Sequence, residues 1–342
     1  MEALVYRGAG DLRVEERPTP TPGPGEVLVR VDACGICGTD LRIASGSHRA
    51  YPDGTVRVPG HEIAGTVAAA GDGVGIAAGT PVFVAPNVGC GACRQCRQGR
   101  VNLCRTPSAL GITLDGGFST HVLVPAAAVR QGNVMALDRP LDAAAVSVVE
   151  PLACVLRGQT QCGIGRDDVV LIVGAGPIGL LHLLAARVRE PRAVVVSEPS
   201  AARRAQAAEW GADRTVDPSS EDLAAVLGED GADVIIVAAP AAAAQAEALR
   251  LAATGARINF FGGLPSGSSE VGLDTNLIHY RELVVTGTTA NTNADCRAAL
   301  DLVTSGAVDA GRLVTGRRSL AEAGAAFDAA RSGEALKVVI VP

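Results

Sequence analysis

Four cysteines, Cys90, Cys93, Cys96 and Cys104, follow one another as C-x2-C-x2-C-x7-C in a stretch containing glycine and arginine. Four thiolates so closely spaced can wrap one tetrahedral Zn²⁺, and a full set of protein ligands leaves no position open for water or substrate. The cluster therefore reads as a structural metal site that clips a loop too poor in apolar residues to hold itself. Four cysteines can also carry an iron–sulfur cluster, and isolated thiols are commonly packed core residues; the spacing favours zinc over both. A second set is built differently. Cys34-Gly35-Ile36-Cys37-Gly38-Thr39-Asp40 and Pro59-Gly60-His61-Glu62-Ile63-Ala64-Gly65 offer thiolate, imidazole and carboxylate from separated points of the chain. That is the arrangement of a catalytic zinc, which needs a vacant coordination position. Taken singly, a cysteine or a His-Glu pair is more often a core residue or a surface pair.

A third constellation suits a dinucleotide. Val169–Val173 is an apolar run that enters Gly174-Ala175-Gly176-Pro177-Ile178-Gly179 and then a helical pattern. Gly174 permits the tight turn, Gly176 lets the backbone approach a pyrophosphate, Gly179 lets the helix pack on the strand, and the helix N-terminus faces the phosphates. The motif alone is weak. It gains force from Glu198, which ends the next strand pattern about 20 residues on, where a carboxylate can bond the ribose hydroxyls and repel a 2′-phosphate. NAD is thus favoured over NADP. Arg203 and Arg204 stand nearby, either as a solvated helix face or as guanidinium groups able to accommodate that phosphate.

The elements that must position these groups follow from the surrounding pattern. Residues 1–150 read as short strands separated by turn signals such as Pro22-Gly23-Pro24-Gly25. From 151 to 288, apolar strands at Val169–Val173, 194–197 and 234–237 alternate with Ala/Leu-rich helical patterns, which is βαβ texture and implies a parallel sheet. Residues 289–342 add helical patterns at 294–304 and 320–332 and a closing strand at 337–341. With 342 residues, two domains are expected.

The net charge of −6 is spread along the chain without a basic run, which excludes the usual footprint of a nucleic-acid binder. The longest apolar stretch, 169–186, carries three glycines and a proline, so it reads as strand, turn and helix rather than a membrane span. No signal-peptide pattern opens the sequence, and the nine cysteines suit metal ligation in a reducing compartment, so a cytoplasmic location is expected.

Together these residues resemble the zinc-containing medium-chain dehydrogenase family, and its sorbitol/polyol dehydrogenase branch most closely. The resemblance rests on Gly60-His61-Glu62 with Gly65, Gly71 and Val74, on the four-cysteine loop, on Asp115-Gly116-Gly117-Phe118, on Glu150-Pro151-Leu152 and on the glycine motif, and it spans nearly the whole chain. It implies an α/β protein: a GroES-like, mostly β catalytic domain over 1–150 with both zinc sites, a Rossmann NAD-binding domain over 151–288, and a tail over 289–342 that returns to the catalytic domain. It implies Cys37 and His61 as ligands of the reactive zinc, joined by Glu62, and Glu150 as a carboxylate that binds the metal directly or through its water. Thr39 occupies the position that takes the alcohol proton. Two residues after Asp40, where many relatives carry a relay histidine, this chain has Arg42, which stays protonated and cannot relay. His48, Glu150 or water with a ribose hydroxyl are alternative exits. Cys34, Cys154, Cys162 and Cys296 are expected to be packed thiols.

The implied activity is transfer of hydride from a secondary alcohol of a polyol, sugar alcohol or cyclitol, amino-cyclitols included, to NAD. The partner is thus a small polyhydroxylated alcohol or its ketone, and relatives are commonly homodimers or homotetramers. Thr39, Ser45, His48, Arg49, Tyr51, Asn291 and Asn293 are polar groups available to line a cleft, although any one of them is more simply a loop residue facing water. L-Threonine is an alternative substrate, because that branch shares Cys-Gly-Thr-Asp and Gly-His-Glu. A non-catalytic zinc- and nucleotide-binding relative is a further alternative. A zinc-free quinone-type reductase is disfavoured by both cysteine motifs.

Overall fold

The computed structural model describes residues 1–342 except 266 and 334. The chain divides into two compact units, Met1–Ala153 with Asn291–Pro342, and Cys154–Ala290.

The first unit is organised by a seven-stranded sheet. Its order runs Val314–Arg318, Lys337–Ile340, Val27–Gly35, Glu62–Ala70, Pro81–Val84 and Val134–Ala136, and His121–Val124 also pairs with Val27–Gly35. Val27, Val29 and Val31 recur at the two-residue period of a strand, and they pack with Ile63, Val67, Val82, Val84 and Phe118 in one buried cluster. Register decides what happens at the end of these strands. Gly35 lies opposite Glu62 in one pairing and opposite Val339 in the other. Residues distant in sequence, near positions 35, 62 and 337, are thereby brought to one place.

Between the Val27–Gly35 and Glu62–Ala70 strands the chain forms the short helix Gly38–Ala44 and then a loop that ends at Pro59-Gly60. Gly60 takes the left-handed backbone (φ 95°). The Asp115-Gly116-Gly117-Phe118 run clamps this turn: Val58 N donates to Asp115 Oδ1 (2.9 Å), Gly116 N to Val58 O (2.8 Å) and Gly117 N to Gly60 O (2.8 Å). A side chain at Gly116 would overlap the Gly60 carbonyl, so glycine is required by close backbone approach.

The second unit is a six-stranded, all-parallel sheet in the order Arg214–Val216, Ala193–Ser197, Val169–Val173, Ala232–Val237, Ala252–Phe260 and Val284–Gly287. Numbered within the unit, this is the doubly wound order 3-2-1-4-5-6, which reverses direction beside the Val169–Val173 strand. Valine- and isoleucine-rich strands buried on both faces account for the continuous apolar runs. Val169–Val173 has the extent expected from sequence, and the helix Asn293–Thr304 begins one residue earlier than the pattern suggested. The single helix expected over 320–332 is instead a 3-10 turn, Leu320–Glu322, followed by the α-helix Ala323–Ser332. Ser319 and Glu322 cap each other there, which closes the first turn on itself. Among the described residues no helix is long and apolar enough to cross a membrane.

Candidate active site

Cys37 ends the approach to the Gly38–Ala44 helix and caps it. Its Sγ accepts from Thr39 N (3.2 Å), while Asp40 Oδ2 accepts from Cys37 N (2.9 Å), a reciprocal box that fixes both side chains. His61 Nε2 lies 3.2 Å from Cys37 Sγ. Two ligands of one tetrahedral zinc stand about 3.6 Å apart, given bonds of roughly 2.3 Å to sulfur and 2.1 Å to nitrogen. On its other side the ring faces buried Asp40, with Nδ1 3.5 Å from Oδ1. Burial opposes a charged imidazole, yet Cys37 and Asp40 outweigh it and hold the His61 pKa well above its ordinary value. Asp40 is held below the usual carboxylate range, with His61 overcoming the penalty of its own burial. The pocket is thus built to favour a positive charge between thiolate and carboxylate.

Glu62 is completely buried, and its Oε1 accepts from Lys337 Nζ at 2.5 Å. Lys337 also donates to Ile36 O (3.0 Å). Burial pushes Glu62 up from its ordinary value while Lys337 pulls it back; burial pulls Lys337 down while Glu62 raises it past that. We read the pair as ionised, since contact this short between a carboxylate and an amine out of water is stable only when both are charged and bonded. Gly35 makes room for it, because a Cβ there would overlap Glu62 Oε2 and lie 3.1 Å from Lys337 Cε. Glu150, in the first turn of the helix Val149–Cys162, receives Asn291 Nδ2 on Oε1 (2.6 Å).

Ligand atoms of His61, Glu62 and Glu150 lie within 4.8 Å of one another, as do those of Cys37, Asp40 and His61. His61 belongs to both groups. Glu62 Oε2 is buried without a hydrogen-bond partner. An orphaned carboxylate oxygen beside a thiolate, an imidazole and a second carboxylate fits a divalent cation.

The four-cysteine lobe has its own geometry. Sγ atoms of Cys90 and Cys96 are 4.0 Å apart, and those of Cys93 and Cys104 are 3.9 Å apart. Four sulfurs around one zinc stand about 3.8 Å from each other. Backbone N–H groups of Cys90, Cys93 and Cys96 point at Cys104, Cys90 and Cys93 in turn. Such bonds lower the Cys93 thiol to about 6, whereas burial raises Cys96 to about 12.

In the second unit, Gly174 turns with φ 102°, and Gly176 caps the helix Pro177–Arg187 with nothing within 4 Å of where its Cβ would be. A Cβ on Gly179 would strike the Gly174 carbonyl, so helix and strand touch through glycine. Pro177 at the first helical position needs no N–H there, and Ile178 follows it in the first turn. Glu198 bridges the motif: Oε2 accepts from Ala175 N (2.8 Å) and Oε1 from Ser200 N (2.9 Å).

Residues 23–133 match the family described as alcohol dehydrogenase GroES-like domain, and residues 177–305 match zinc-binding dehydrogenase. A sorbitol dehydrogenase of Halalkalibacterium halodurans is 31% identical over 354 aligned residues, covering 100% of this chain and 99% of the relative. The chain belongs to the zinc-containing medium-chain alcohol dehydrogenase family. An L-threonine 3-dehydrogenase of Pyrococcus abyssi is 33% identical over 95% of this chain and 94% of its own length. Among solved structures, a zinc-binding dehydrogenase of Sinorhizobium meliloti 1021 bound to NADP superposes with a TM-score of 0.92 at 37% identity, covering 100% and 99% of the two chains. An alcohol dehydrogenase of Escherichia coli CFT073 with NADH gives 0.91 at 30% identity, again over 100% and 99%. This medium-chain dehydrogenase is therefore an oxidoreductase that uses zinc and a nicotinamide cofactor.

The polar residues offered for the cleft of the dehydrogenase take up different places. Tyr51 is buried and donates to Gly111 O (2.9 Å), so it braces the 111–118 segment. Asn291 is buried against Glu150, and Asn293 donates to Gln131 O and Asn133 Oδ1, so both support the first unit's interior. Ser45 is exposed and bonds Arg42 O, and Arg49 is exposed. Arg42 Nη2 donates to Thr39 Oγ1 (3.1 Å). Arg204 is engaged by Asp217 and by the Glu198 and Pro199 carbonyls, whereas Arg203 makes no such bond among the described residues. Cys296 is a fully buried, packed thiol as expected, and it also donates to Asn291 Oδ1 (3.4 Å). Sequence reasoning missed Asp40, Lys337 and Asn87 as partners of the site. Asp40 stood within a quoted motif and could have been found; Lys337 carries no local signal, because only sheet register brings it to Glu62.

Proposed function

We propose that the enzyme oxidises a secondary alcohol of a polyol, sugar alcohol or cyclitol, with NAD as the preferred acceptor. The first unit would carry both zinc ions, one reactive and one structural, and the second would bind the dinucleotide. The observation that supports this reading most is the mixed cluster of Cys37, His61 and two buried carboxylates, one of them already neutralised by Lys337. Its donors come from separate stretches of the chain, and three of the four would suffice to hold a tetrahedral ion, which would leave one position for a substrate hydroxyl.

When bound, zinc lowers the pKa of a substrate hydroxyl towards neutrality and the nicotinamide accepts hydride from its carbon. Cys37, His61 and Glu150 would hold the metal, with Glu62 beside them. Asp40 keeps the imidazole ring turned with Nε2 towards Cys37. Thr39 would receive the alcohol proton, the role that its position in the Cys-Gly-Thr-Asp motif implies. Its oxygen already accepts from Arg42, which cannot take a proton, so the proton would leave Thr39 through water rather than through that side chain.

The polyol assignment draws on the sorbitol dehydrogenase relative, and L-threonine is a second reading because a threonine dehydrogenase aligns almost as fully. A panel of sugar alcohols, cyclitols, amino alcohols and L-threonine, followed by NADH or NADPH formation, separates them. Turnover of L-threonine alone would overturn the polyol reading. NAD preference rests on Glu198 and on Arg204 being already engaged. Glu198→Ala is expected to weaken NAD binding roughly tenfold and to narrow the gap between NAD and NADP, as measured by dinucleotide titration. We also propose a homo-oligomer in the cytoplasm. Among the described residues the Val284–Gly287 strand has a neighbour on one side only and carries half-exposed Val284, while the nearby Tyr280 is 77% exposed. Nine cysteines, none in a disulfide, suit a reducing compartment.

A further inference from the structure

We propose that Asn291 is a positioning residue for the Glu150 carboxylate, and that a buried ladder of amide side chains ties it to the base of the four-cysteine lobe. The inference rests on the reading of Glu150 as a ligand of the reactive metal. Asn291 Nδ2 donates to Glu150 Oε1 (2.6 Å) and to Glu150 O (3.2 Å), gripping side chain and backbone of the same residue. Its Oδ1 accepts from Asn87 Nδ2 (2.9 Å) and from Cys296 Sγ (3.4 Å). The orientation of the Asn291 amide is fixed by these partners. An ionised carboxylate only accepts and the Asn87 amino group only donates, so a flipped amide would lose both bonds.

The ladder continues away from the metal. Asn133 Nδ2 donates to the Asn87 and Ala85 carbonyls (2.8 Å each), and Asn293 Nδ2 donates to Asn133 Oδ1 (3.0 Å) and Gln131 O (2.6 Å). Gln131 closes it by receiving Gly89 N (3.0 Å) and donating to Gly89 O (2.8 Å). Gly89 precedes the first cysteine of the lobe. The Asn87–Val88 strand pairs with Ser108–Ala109, so both ends of the cysteine loop leave from this ribbon. Asn87, Asn133 and Asn291 are thus joined between two metal-type clusters, with Asn133 and Asn291 almost wholly buried. The buried amide donors of the ladder find partners, and rotating one of them would strand a donor out of water.

Asn291 holds Glu150 through Oε1 and the backbone carbonyl together, which fixes how the carboxylate is presented. Losing such a partner of a ligand lowers metal affinity about 10–100-fold. The test uses full-length zinc-loaded protein, with chelator competition and the visible spectrum of Co²⁺ exchanged into the reactive site. Asn291→Ala should weaken retention there about 10–100-fold and alter the Co²⁺ bands, while the lobe keeps its zinc and so reports an intact fold. Asn291→Asp, nearly the same shape but with no donor and a like charge, should weaken it further. Asn87→Ala, which only frees the far end of Asn291, should give a smaller loss in the same direction. Unchanged chelator competition and spectrum in both Asn291 variants would overturn the proposal. Glu150→Gln separates the two layers. If it leaves retention unchanged, the ligand reading fails; if it loosens the metal while the Asn291 variants do not, only the positioning role fails.

Discussion

The two metal-type clusters of the first unit are built on opposite plans. The cysteine lobe draws all four donors from residues 90–104, uses one donor type and lies partly exposed, with backbone N–H groups aimed at its sulfurs. The other joins two groups that share His61 and draws Cys37, His61 with Glu62, and Glu150 from three separate stretches of the chain, mixes three donor types and is largely buried. Around it stand charges and amides outside the proposed ligand set, including Asp40, Lys337 and Asn291. A closed shell of thiolates needs little from its surroundings. An open one must have each donor held from behind, because nothing in the shell itself fixes an incomplete set.

The largest expected effect separates the plans outright. Cys37→Ala should lower nicotinamide-coupled alcohol oxidation by roughly 10³-fold or more, since several kcal/mol of electrophilic stabilisation depend on the ion it holds. The fold and one zinc per chain should remain, by metal analysis and thermal melting. Cys93→Ala should do the reverse and lower Tm by roughly 5 °C, the shift that about 2 kcal/mol produces in a unit of this size. If Cys37→Ala kept most of its activity, the two clusters would have been assigned the wrong way round.

This contrast also explains what could be read from the sequence. The lobe was legible because its ligands share one loop, and the parallel sheet because each buried strand is a continuous apolar run. The glycine motif was legible because Gly174, Gly176 and Gly179 answer local backbone demands. The support of the mixed cluster was not. Lys337 meets Glu62 through the register that sets Val339 opposite Gly35, and Gly35 opposite Glu62. No pattern within either segment announces that register. Asn291 looked like a polar loop residue for the same reason: its partner lies 141 positions away.

A second expected effect probes that nonlocal support. Lys337→Met leaves Glu62 buried without its cation, which costs up to about 3–5 kcal/mol, less whatever the carboxyl recovers by taking up a proton. Urea unfolding of the zinc-loaded protein reads it. Adding Glu62→Gln should return much of the loss, because the charge is then removed with its partner. A single variant as stable as wild type would mean that the site tolerates an unpaired carboxylate, and the contrast between a self-sufficient lobe and a supported cluster would weaken.

The smallest effect concerns protons. Cys37 and Asp40 hold the His61 proton well above the ordinary imidazole range, so a metal ion must displace that proton to bind. The sign follows from the direction of the shift. Below the raised pKa each proton displaced costs affinity, about tenfold per pH unit, and the penalty fades only as pH rises through that pKa. Chelator competition between pH 8 and pH 6 should show the reactive site loosening as pH falls. Asp40→Asn removes one of the charges that retain the proton, so it should move this dependence to lower pH while weakening the metal at high pH, where only the lost orientation of the ring matters. The lobe, with no contact to Asp40 in its donor set, should be indifferent to the variant. An equal response at both clusters would show that Asp40 acts on the whole unit, and its assignment to His61 would fall.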